Sequence, residues 1–584
     1  VKTPTNKEIA TVLKRIAVYK ELLGENLFKV RAFENAARSV EIHPEEVASL
    51  AVWEGGLESI KGIGKGVGEV VTEYVNTGRS SELETLQSAF PDTIEELLRV
   101  PGMGPKKVKA VYKQLGVSSV GELEYACAEN RLVTLEGFGQ KTQAKLLKAI
   151  EFIRLQGGLH LFCDALKTAQ EVIETLKNAD GAGILEAVAA GSLRRGKTTF
   201  KDIDILVVEG DGKNKESLQK TLLSLADENG VIASGDTKIS VRRRGLQIDF
   251  RIVPQESFPT ALQHFTGSKE HNTILRARAK RMGLKLNEYG IYKGDEPLAV
   301  SSEEDVYGAL KLEYIPPELR EGEEEVDLSE KGDLPDLVKA EDFHGMVHVH
   351  SNFSDGSNTI EELARECAAL GYSYLCISDH SRSAYYAHGL SVERLKEQAV
   401  EVRRVNEAVF PFRVFCGIES DILGDGGLDY PDEDLRELDF VIGSVHSKLA
   451  MSAPEATERL LRAIANPHFT ILGHMSGRLL LSREGYGLDE ERILDALLEH
   501  GAVLEHNCNP HRLDPGWPLL KRAKKMGVLV SVNPDAHSIE GLSDMRYGVT
   551  MARKGWLEKK DVLNCMTVGE IDEFFKGRKK QKGV

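Results

Sequence analysis

Apolar and polar positions alternate in two short stretches near the middle of the chain. Residues 202–208 read Asp-Ile-Asp-Ile-Leu-Val-Val, and residues 245–253 read Gly-Leu-Gln-Ile-Asp-Phe-Arg-Ile-Val. Both read as strands, so Asp202 and Asp204 project from one face and Asp249 stands at the centre of the second strand. The start of the chain, VKTPTNKEIATVLKRI, has instead the spacing of an amphipathic helix behind a Thr/Asn cap. Beyond about residue 341, short apolar runs recur in a βα-like succession. No apolar run approaches the ~18–20 residues of a membrane span.

Several of these elements carry chemistry. Two carboxylates side by side on a strand repel unless a cation sits between them, so the Asp202/Asp204 pair suits divalent metal. Gly191-Ser192 and Arg195 stand upstream, where they suit phosphate. With Asp249 from an adjacent strand they compose a cradle for two ions ~3.5–4 Å apart and for transfer of a nucleotide. An Asp-rich strand edge is the bland alternative.

Residues 60–70 (IKGIGKGVGEV), 100–109 (VPGMGPKKVK) and, more weakly, 136–145 (EGFGQKTQAK) each place a Gly-x-Gly turn before a helix. Such a turn aims backbone N–H groups at a phosphate, although a single copy more often serves tight helix packing. Lys106, Lys107, Lys109 and Lys113 follow the second copy, with no acid from 101 to 114. The net charge of −16 therefore conceals a local basic patch.

In the C-terminal part, His348, His350, Asp355, His380, Glu419, His446, His474, Asp535 and His537 all follow short apolar runs. A lone histidine is usually packing. Imidazoles and acids repeated at successive strand ends gather at one barrel mouth and point to metal. Asp379 and His388 are read as rim residues, His506 as packing, and Arg382 and Arg512 as candidate phosphate contacts.

A length of 584 residues predicts three to five domains. Seven scattered cysteines without a CxxC pair predict a reducing, cytoplasmic setting. Residues 321–336 carry eight acids against one lysine and read as a self-repelling linker, which suggests a movable joint, with stable docking of the two halves as the alternative. The basic end, Lys579 to Lys582, reads as a frayed tail.

The motifs around 191–204 and 249 resemble the palm of a family X DNA polymerase of the beta type, and residues 341–575 resemble a PHP (polymerase and histidinol phosphatase) domain. The first resemblance implies Asp202, Asp204 and Asp249 as ligands of two Mg²⁺ ions, with Asp249 beside the primer 3′-hydroxyl. It implies Gly191, Ser192 and Arg195 at the incoming dNTP. HFTGSKEHN (264–272) resembles the segment lining the nucleotide pocket, which places Phe265, Gly267 and Asn272 there. His264 stands where that family has tyrosine and Lys269 where it has an acid, so sugar discrimination does not carry over.

The Gly-x-Gly turns resemble helix-hairpin-helix motifs, implying backbone contacts to DNA from Gly62, Gly64, Gly66, Gly102, Gly104, Lys106, Lys107 and Lys109. Lys29 and Phe33 match residues lining a 5′-phosphate pocket. Val70 falls where the beta-type enzyme has its Schiff-base lysine and Gly66 where it has an accessory lysine, so lyase activity is expected to be weak or absent. The PHP resemblance implies the nine residues 348–537 above as ligands of a three-metal site holding Mn²⁺, Zn²⁺ or Fe²⁺.

The expected fold is multidomain α+β and α/β. Helical helix-hairpin-helix regions at 1–85 and 86–154 precede a mixed-sheet nucleotidyltransferase palm (155–258) and an α/β thumb (259–320). An acidic linker (321–340), a distorted (β/α)7 PHP barrel (341–575) and a basic tail (576–584) follow. The expected function is monomeric, template-directed gap filling on gapped or primed DNA in base excision repair. It is combined with 3′–5′ exonuclease and 3′-end processing of the AP endonuclease or 3′-phosphatase type. The alternative is an end-processing nuclease whose polymerase half mainly binds DNA.

Overall fold

Thr5 accepts from the Glu8 amide while Glu8 reaches back to the Thr5 amide, a reciprocal cap that starts the helix Asn6–Leu23. Gly24, at φ +81°, ends it. In this computed structural model residues 3–582 are described, except 52, 54, 157, 180 and 211–213. They fall into two compact units, 1–150 and 151–584.

The first unit is helical. Ile9, Leu13 and Ile16 of the first helix pack on Val30, Ala37 and Val40 of the helix Leu27–Glu41. Each such large aliphatic side chain contributes about 1.5–3 kcal/mol by its burial. The three Gly-x-Gly turns share one construction. The fourth residue donates its N–H to the carbonyl of the first: Ile63 to Ile60 (3.1 Å), Met103 to Val100 (3.0 Å) and Phe138 to Leu135 (3.0 Å). These apolar residues are buried in pairs, which turns the glycines outward. The copy weakest in sequence is thus equal in geometry.

The second unit begins with a five-stranded mixed sheet in the order 184–189, 202–209, 246–254, 238–243, 231–234. Strands Asp202–Glu209 and Leu246–Pro254 run parallel, and the other neighbours are antiparallel. Ile203, Ile205 and Val207 fill one face. Leu206 and Val208 on the other face are covered by Ala261 and Phe265 of the helix Phe258–Thr266, leaving the aspartates beyond that cover. A three-stranded antiparallel sheet (285–298) and the helices Lys269–Arg281 and Glu303–Ala309 form the next layer.

Seven parallel strands between Gly345 and Asn533 then follow in sequential order. Val349 bridges Ala536, and the His350 amide donates to the Ala536 carbonyl at 2.9 Å, so the first strand meets the end of the last. The result is a nearly closed (β/α)7 barrel. Its lower interior packs Val347, Cys376, Phe415 and Ile442 against Ile571 and Phe575 of the C-terminal helix Val568–Lys582.

Two expectations are corrected. The basic tail is not frayed: it continues that barrel-plugging helix, with Lys579 donating to the Arg436 carbonyl and Lys582 reaching His500. Residues 583–584 lie outside the described residues. The acidic run 321–340 is not a movable linker either. It contains the helix Glu325–Lys331, and cations from elsewhere meet its acids. Lys521 pairs with Glu323 (2.6 Å) and Glu324 (2.9 Å), Lys525 with Glu324, Lys554 with Glu321, and Arg278 with Glu330. Glu325 is wholly buried against His271 Nδ1 at 2.7 Å. Among the described residues no helix is long and apolar enough to cross a membrane.

Candidate active sites

Register sets the palm site. Asp204 and Asp249 are direct partners on parallel strands, and Asp202 lies two residues before Asp204 on the same face. Burial lifts the Asp204 carboxyl to about 6, with the Asp249 and Asp202 charges adding to it against Arg251. Burial also works against ionised Asp249, yet hydrogen bonds from Lys238, Ser240 and Gln247 hold it below the usual carboxylate range. Lys238 Nζ stands 2.6 Å from Asp249 and Arg251 Nε 3.8 Å from Asp204. A cluster of acids with lysine and arginine drawn in as countercharges fits a divalent-ion site in kind. The three carboxylates are not drawn into the tight donor groups seen at the barrel mouth.

Gly191 has φ +59°, and a Cβ there would lie 2.5 Å from Asp204 Oδ2, so only glycine lets this turn approach the carboxylate. Ser192 is half-buried beside it. Arg195 is 8% exposed, and its guanidinium donates to the Thr266 carbonyl and lies 3.4 Å from Glu321. Phe265 stacks under Arg251 at 5.0 Å. Gly267 at φ +69° ends the helix, and a Cβ there would approach Arg195 to 3.1 Å. The Asn272 amide donates to the His264 carbonyl (2.7 Å) and accepts from Gln263 (2.8 Å), bracing the turn. Burial lowers the His264 pKa, favouring a neutral ring. Lys269 is exposed.

The barrel mouth collects all nine residues expected there. His350, Asp355, His380 and His537 offer donor atoms within 4.8 Å of one another, as do His348, His350 and Asp535, and His380, Glu419 and His446. Glu419 bridges: Oε1 lies 3.0 Å from His474 Nε2 and 3.3 Å from both His348 and His446, while Oε2 lies 2.8 Å from His380. Asp535 Oδ1 is 3.1 Å from His350 and 3.5 Å from His348. His350 Nδ1 and His474 Nδ1 are buried without a hydrogen-bond partner. Buried donors of this number and kind fit divalent cations, with N and O ligands and no thiolate. Burial and the neighbouring His380 charge push His350 down to about 4, leaving its ring neutral and its lone pair available at neutral pH. His348 and Asp535 take positive φ (63° and 53°), and the strand register shifts at His348. A bulge therefore aims the first ligand.

Sequence reasoning missed a second layer. Glu505, fully buried, accepts from His348 Nδ1 (2.5 Å), the His474 amide (2.9 Å) and the side chains of Asn533 (2.8 Å) and Asn507 (3.2 Å). Asp421 accepts from His446 Nδ1 at 2.5 Å. Strand parity carried the signal, since Glu505 and Asn507 must face opposite to His506, which points away and bonds the Pro515 carbonyl. Asp379 corrects another expectation. It is fully buried, taking hydrogen bonds from Ser351, Ser354 and Gln398, and is not a rim residue. His388 is exposed. Arg512 is buried with Nε 4.0 Å from Asp535, and Arg382 is exposed and paired with Asp429.

In the first unit, Gly64 and Gly104 precede the helices Lys65–Thr77 and Pro105–Leu115 with no side-chain cap, so no capping side chain takes the N–H groups of the first turns. Open space surrounds both glycines, and around Gly66 too. Gly62 and Gly102 take φ +98° and +92° to form the turns. Lys106 is exposed, Lys107 lies over the Phe138 ring at 5.2 Å, and Lys109 packs towards Gly24. Lys29 is exposed, whereas Phe33 is a core residue beneath Lys20. Val70 is buried.

Four family models match the chain: a helix-hairpin-helix domain (residues 4–80), a SAM-like helix-hairpin-helix tandem (94–151), a DNA polymerase beta thumb (261–321) and a PHP domain (347–507). A Bacillus subtilis protein named DNA polymerase/3′-5′ exonuclease PolX is 40% identical over 98% of this chain and 99% of its own length. A probable phosphatase of Thermoanaerobacter is 28% identical over 41% of this chain and 96% of its own. DNA polymerase lambda of Rattus norvegicus is 26% identical over 45% of this chain and 48% of its own.

Proposed function

The chain belongs to the bacterial PolX family, family X DNA polymerases that carry a PHP domain, and on that premise we propose that it fills short gaps in DNA and trims 3′ ends, as a repair enzyme. The observation that carries this reading is the presence of two separate, intact acidic sites in one compact unit, the Asp204–Asp249 pair and the nine-residue barrel mouth. Divalent cations, Mg²⁺ at the palm and Mn²⁺, Zn²⁺ or Fe²⁺ at the barrel, would supply Lewis acidity and an acidified water at these sites.

In the palm, Asp202, Asp204 and Asp249 would hold the ions. Asp249, kept ionised by its hydrogen bonds, accepts the proton of the primer 3′-hydroxyl as that oxygen bonds the α-phosphorus of a dNTP and pyrophosphate leaves. Ser192 and Arg195 bind the triphosphate, and Phe265, Gly267 and Asn272 shape the pocket with His264 and Lys269 at its edge. At the barrel mouth the nine residues would hold the cluster, and Arg512 orients the scissile phosphate. Water then displaces the terminal nucleotide as a monophosphate and leaves a 3′-hydroxyl. The amides of Gly62, Gly64, Gly102 and Gly104, with Lys106 and Lys107, grip the DNA backbone without reading sequence.

Gapped duplex with a labelled primer tests the assignment. Asp204→Ala is expected to lose extension and keep 3′ digestion, and Asp535→Ala to do the reverse. Extension untouched in Asp204→Ala would leave the polymerase half as a DNA grip only. The match to probable phosphatases supports a second barrel reaction, removal of a 3′-phosphate. Primer bearing that group should become extendable by wild type and not by Asp535→Ala.

A further inference from the structure

Lys554 ends the helix Met545–Lys554 on the outside of the barrel and is 2% exposed. Its ammonium leaves the barrel. It donates to the Arg195 carbonyl (2.9 Å), the Glu318 carbonyl (3.4 Å) and Glu321 Oε1 (2.5 Å), and lies 5.2 Å from the Trp517 ring centre. The same Glu321 oxygen is 3.4 Å from Arg195 Nε. The next palm residue, Gly196, runs so close to this helix that a Cβ would come within 2.7 Å of Thr550. Arg553 holds the neighbouring Glu318 carboxylate at 2.6 Å. One carboxylate is thus shared by a palm arginine and a PHP-domain lysine, and the lysine also fixes the arginine's main chain.

We propose that Lys554 of the PHP domain is a positioning residue for the polymerase site, holding Arg195 in place and retaining Glu321 when the Arg195 guanidinium turns to the triphosphate of an incoming nucleotide. The inference rests on the reading of Arg195 as a triphosphate ligand. The reason is charge balance. In the observed arrangement Arg195 is committed to Glu321 and to the Thr266 carbonyl. Turning the guanidinium to a triphosphate draws Nε away from the carboxylate, whose side chain is only 19% exposed. A carboxylate that loses its cation in such a place is costly. Lys554 keeps Glu321 paired throughout, so the exchange strands no charge.

Single-nucleotide insertion on gapped DNA, with the full chain, tests this. Lys554→Met keeps the apolar stem and removes the ammonium. The dNTP KM should rise about tenfold, the factor equivalent to about 1.4 kcal/mol, with kcat little changed. Digestion of 3′ ends should stay at the wild-type rate at a temperature where both proteins are folded, because Lys554 contacts no ligand of the barrel mouth. The double variant Lys554→Met/Glu321→Gln should bring KM back towards wild type, because no carboxylate remains to be stranded. Glu321→Gln alone should leave KM unchanged or lower it. Arg195→Ala separates the two layers of argument. If it leaves the dNTP KM unchanged, the triphosphate reading of Arg195 fails and this inference falls with it. If it raises KM while Lys554→Met does not, the inference alone is wrong. Failure of the double variant to recover, or a joint fall of KM performance, 3′ digestion and melting temperature in Lys554→Met, also overturns it and makes Lys554 a structural residue.

Discussion

Glu303 offers the sharpest test of how the palm and thumb are held. It opens the helix Glu303–Ala309 and is 6% exposed. Arg194 from the palm binds it through two nitrogens (3.0 and 2.8 Å), Arg320 through one (2.5 Å), and the Tyr314 hydroxyl donates at 3.1 Å. Burial alone would raise this carboxyl, yet Arg320 and Arg194 override it and bring it down to about 2 from an ordinary 4.5. Holding a buried carboxyl that far below its ordinary value is worth ~3 kcal/mol of folded-state stability. Breaking one side of a buried ion pair costs about 3–5 kcal/mol by an independent route.

Glu303→Gln should therefore lower the local opening free energy by about 3 kcal/mol at pH 7. Hydrogen exchange of amides in Lys269–Arg281 and Glu303–Ala309 measures it without assuming that the whole multidomain chain unfolds in one step. The sign follows from the depressed pKa. The stabilisation is present above the unfolded value near 4.5 and is lost as pH falls from there through about 2. The gap between wild type and variant should thus be constant from pH 6 to 8 and narrow below the unfolded value. A gap under about 1 kcal/mol at pH 7, or one that widens on acidification, refutes the reasoning.

Glu505→Gln should lower the affinity of the barrel for divalent metal by about 10–100-fold, since the amide no longer orients His348 through Nδ1. Competition with a chelator, followed by elemental analysis, reads this independently of activity. Asp535→Ala should reduce bound metal more severely and reproduce the loss of 3′ digestion. Lys106→Ala/Lys107→Ala should weaken binding to gapped DNA and flatten its salt dependence by about one logarithmic unit per lost phosphate contact. A slope equal to wild type removes those lysines from the interface. Borohydride should trap no covalent adduct with a 5′-deoxyribose phosphate end through position 70, because Val70 has no amine. An adduct mapped elsewhere would locate a lysine that the family alignment does not supply.

What was legible in the sequence is what local periodicity and residue chemistry determine together. The Asp202/Asp204 alternation and Asp249 on a second strand define the palm register, because a strand's period leaves those carboxylates one face to share. The gathering of nine imidazoles and acids at the barrel mouth follows because each comes just after a short apolar run. The acidic stretch 321–336 was misjudged because its partners Lys521, Lys525 and Lys554 lie some 200 residues away. Composition within a window counts like charges and is blind to countercharges that only the fold delivers. Asp379 was misplaced for a related reason: next to His380, which faces the barrel mouth, its carboxylate turns the other way and organises the Ser351–Ser354 loop.

The same blindness bears on the net charge of −16, which sits oddly with a chain that must hold DNA. Much of the acid is consumed internally. Glu303, Glu321, Glu323, Glu324, Glu325 and Glu330 are paired with arginine, lysine or histidine within the second unit, and Glu419 and Asp535 face the imidazoles of the barrel mouth. These charges project little field on a distant phosphate, since each is neutralised at contact distance. The helical unit, by contrast, leaves Lys106 outside and surrounds its turns with backbone amides free of caps. Electrostatics here divides by location. Acids paired at close range hold the palm, thumb and barrel as one body, while the helical turns proposed to meet DNA keep their lysines and backbone amides outside that pairing.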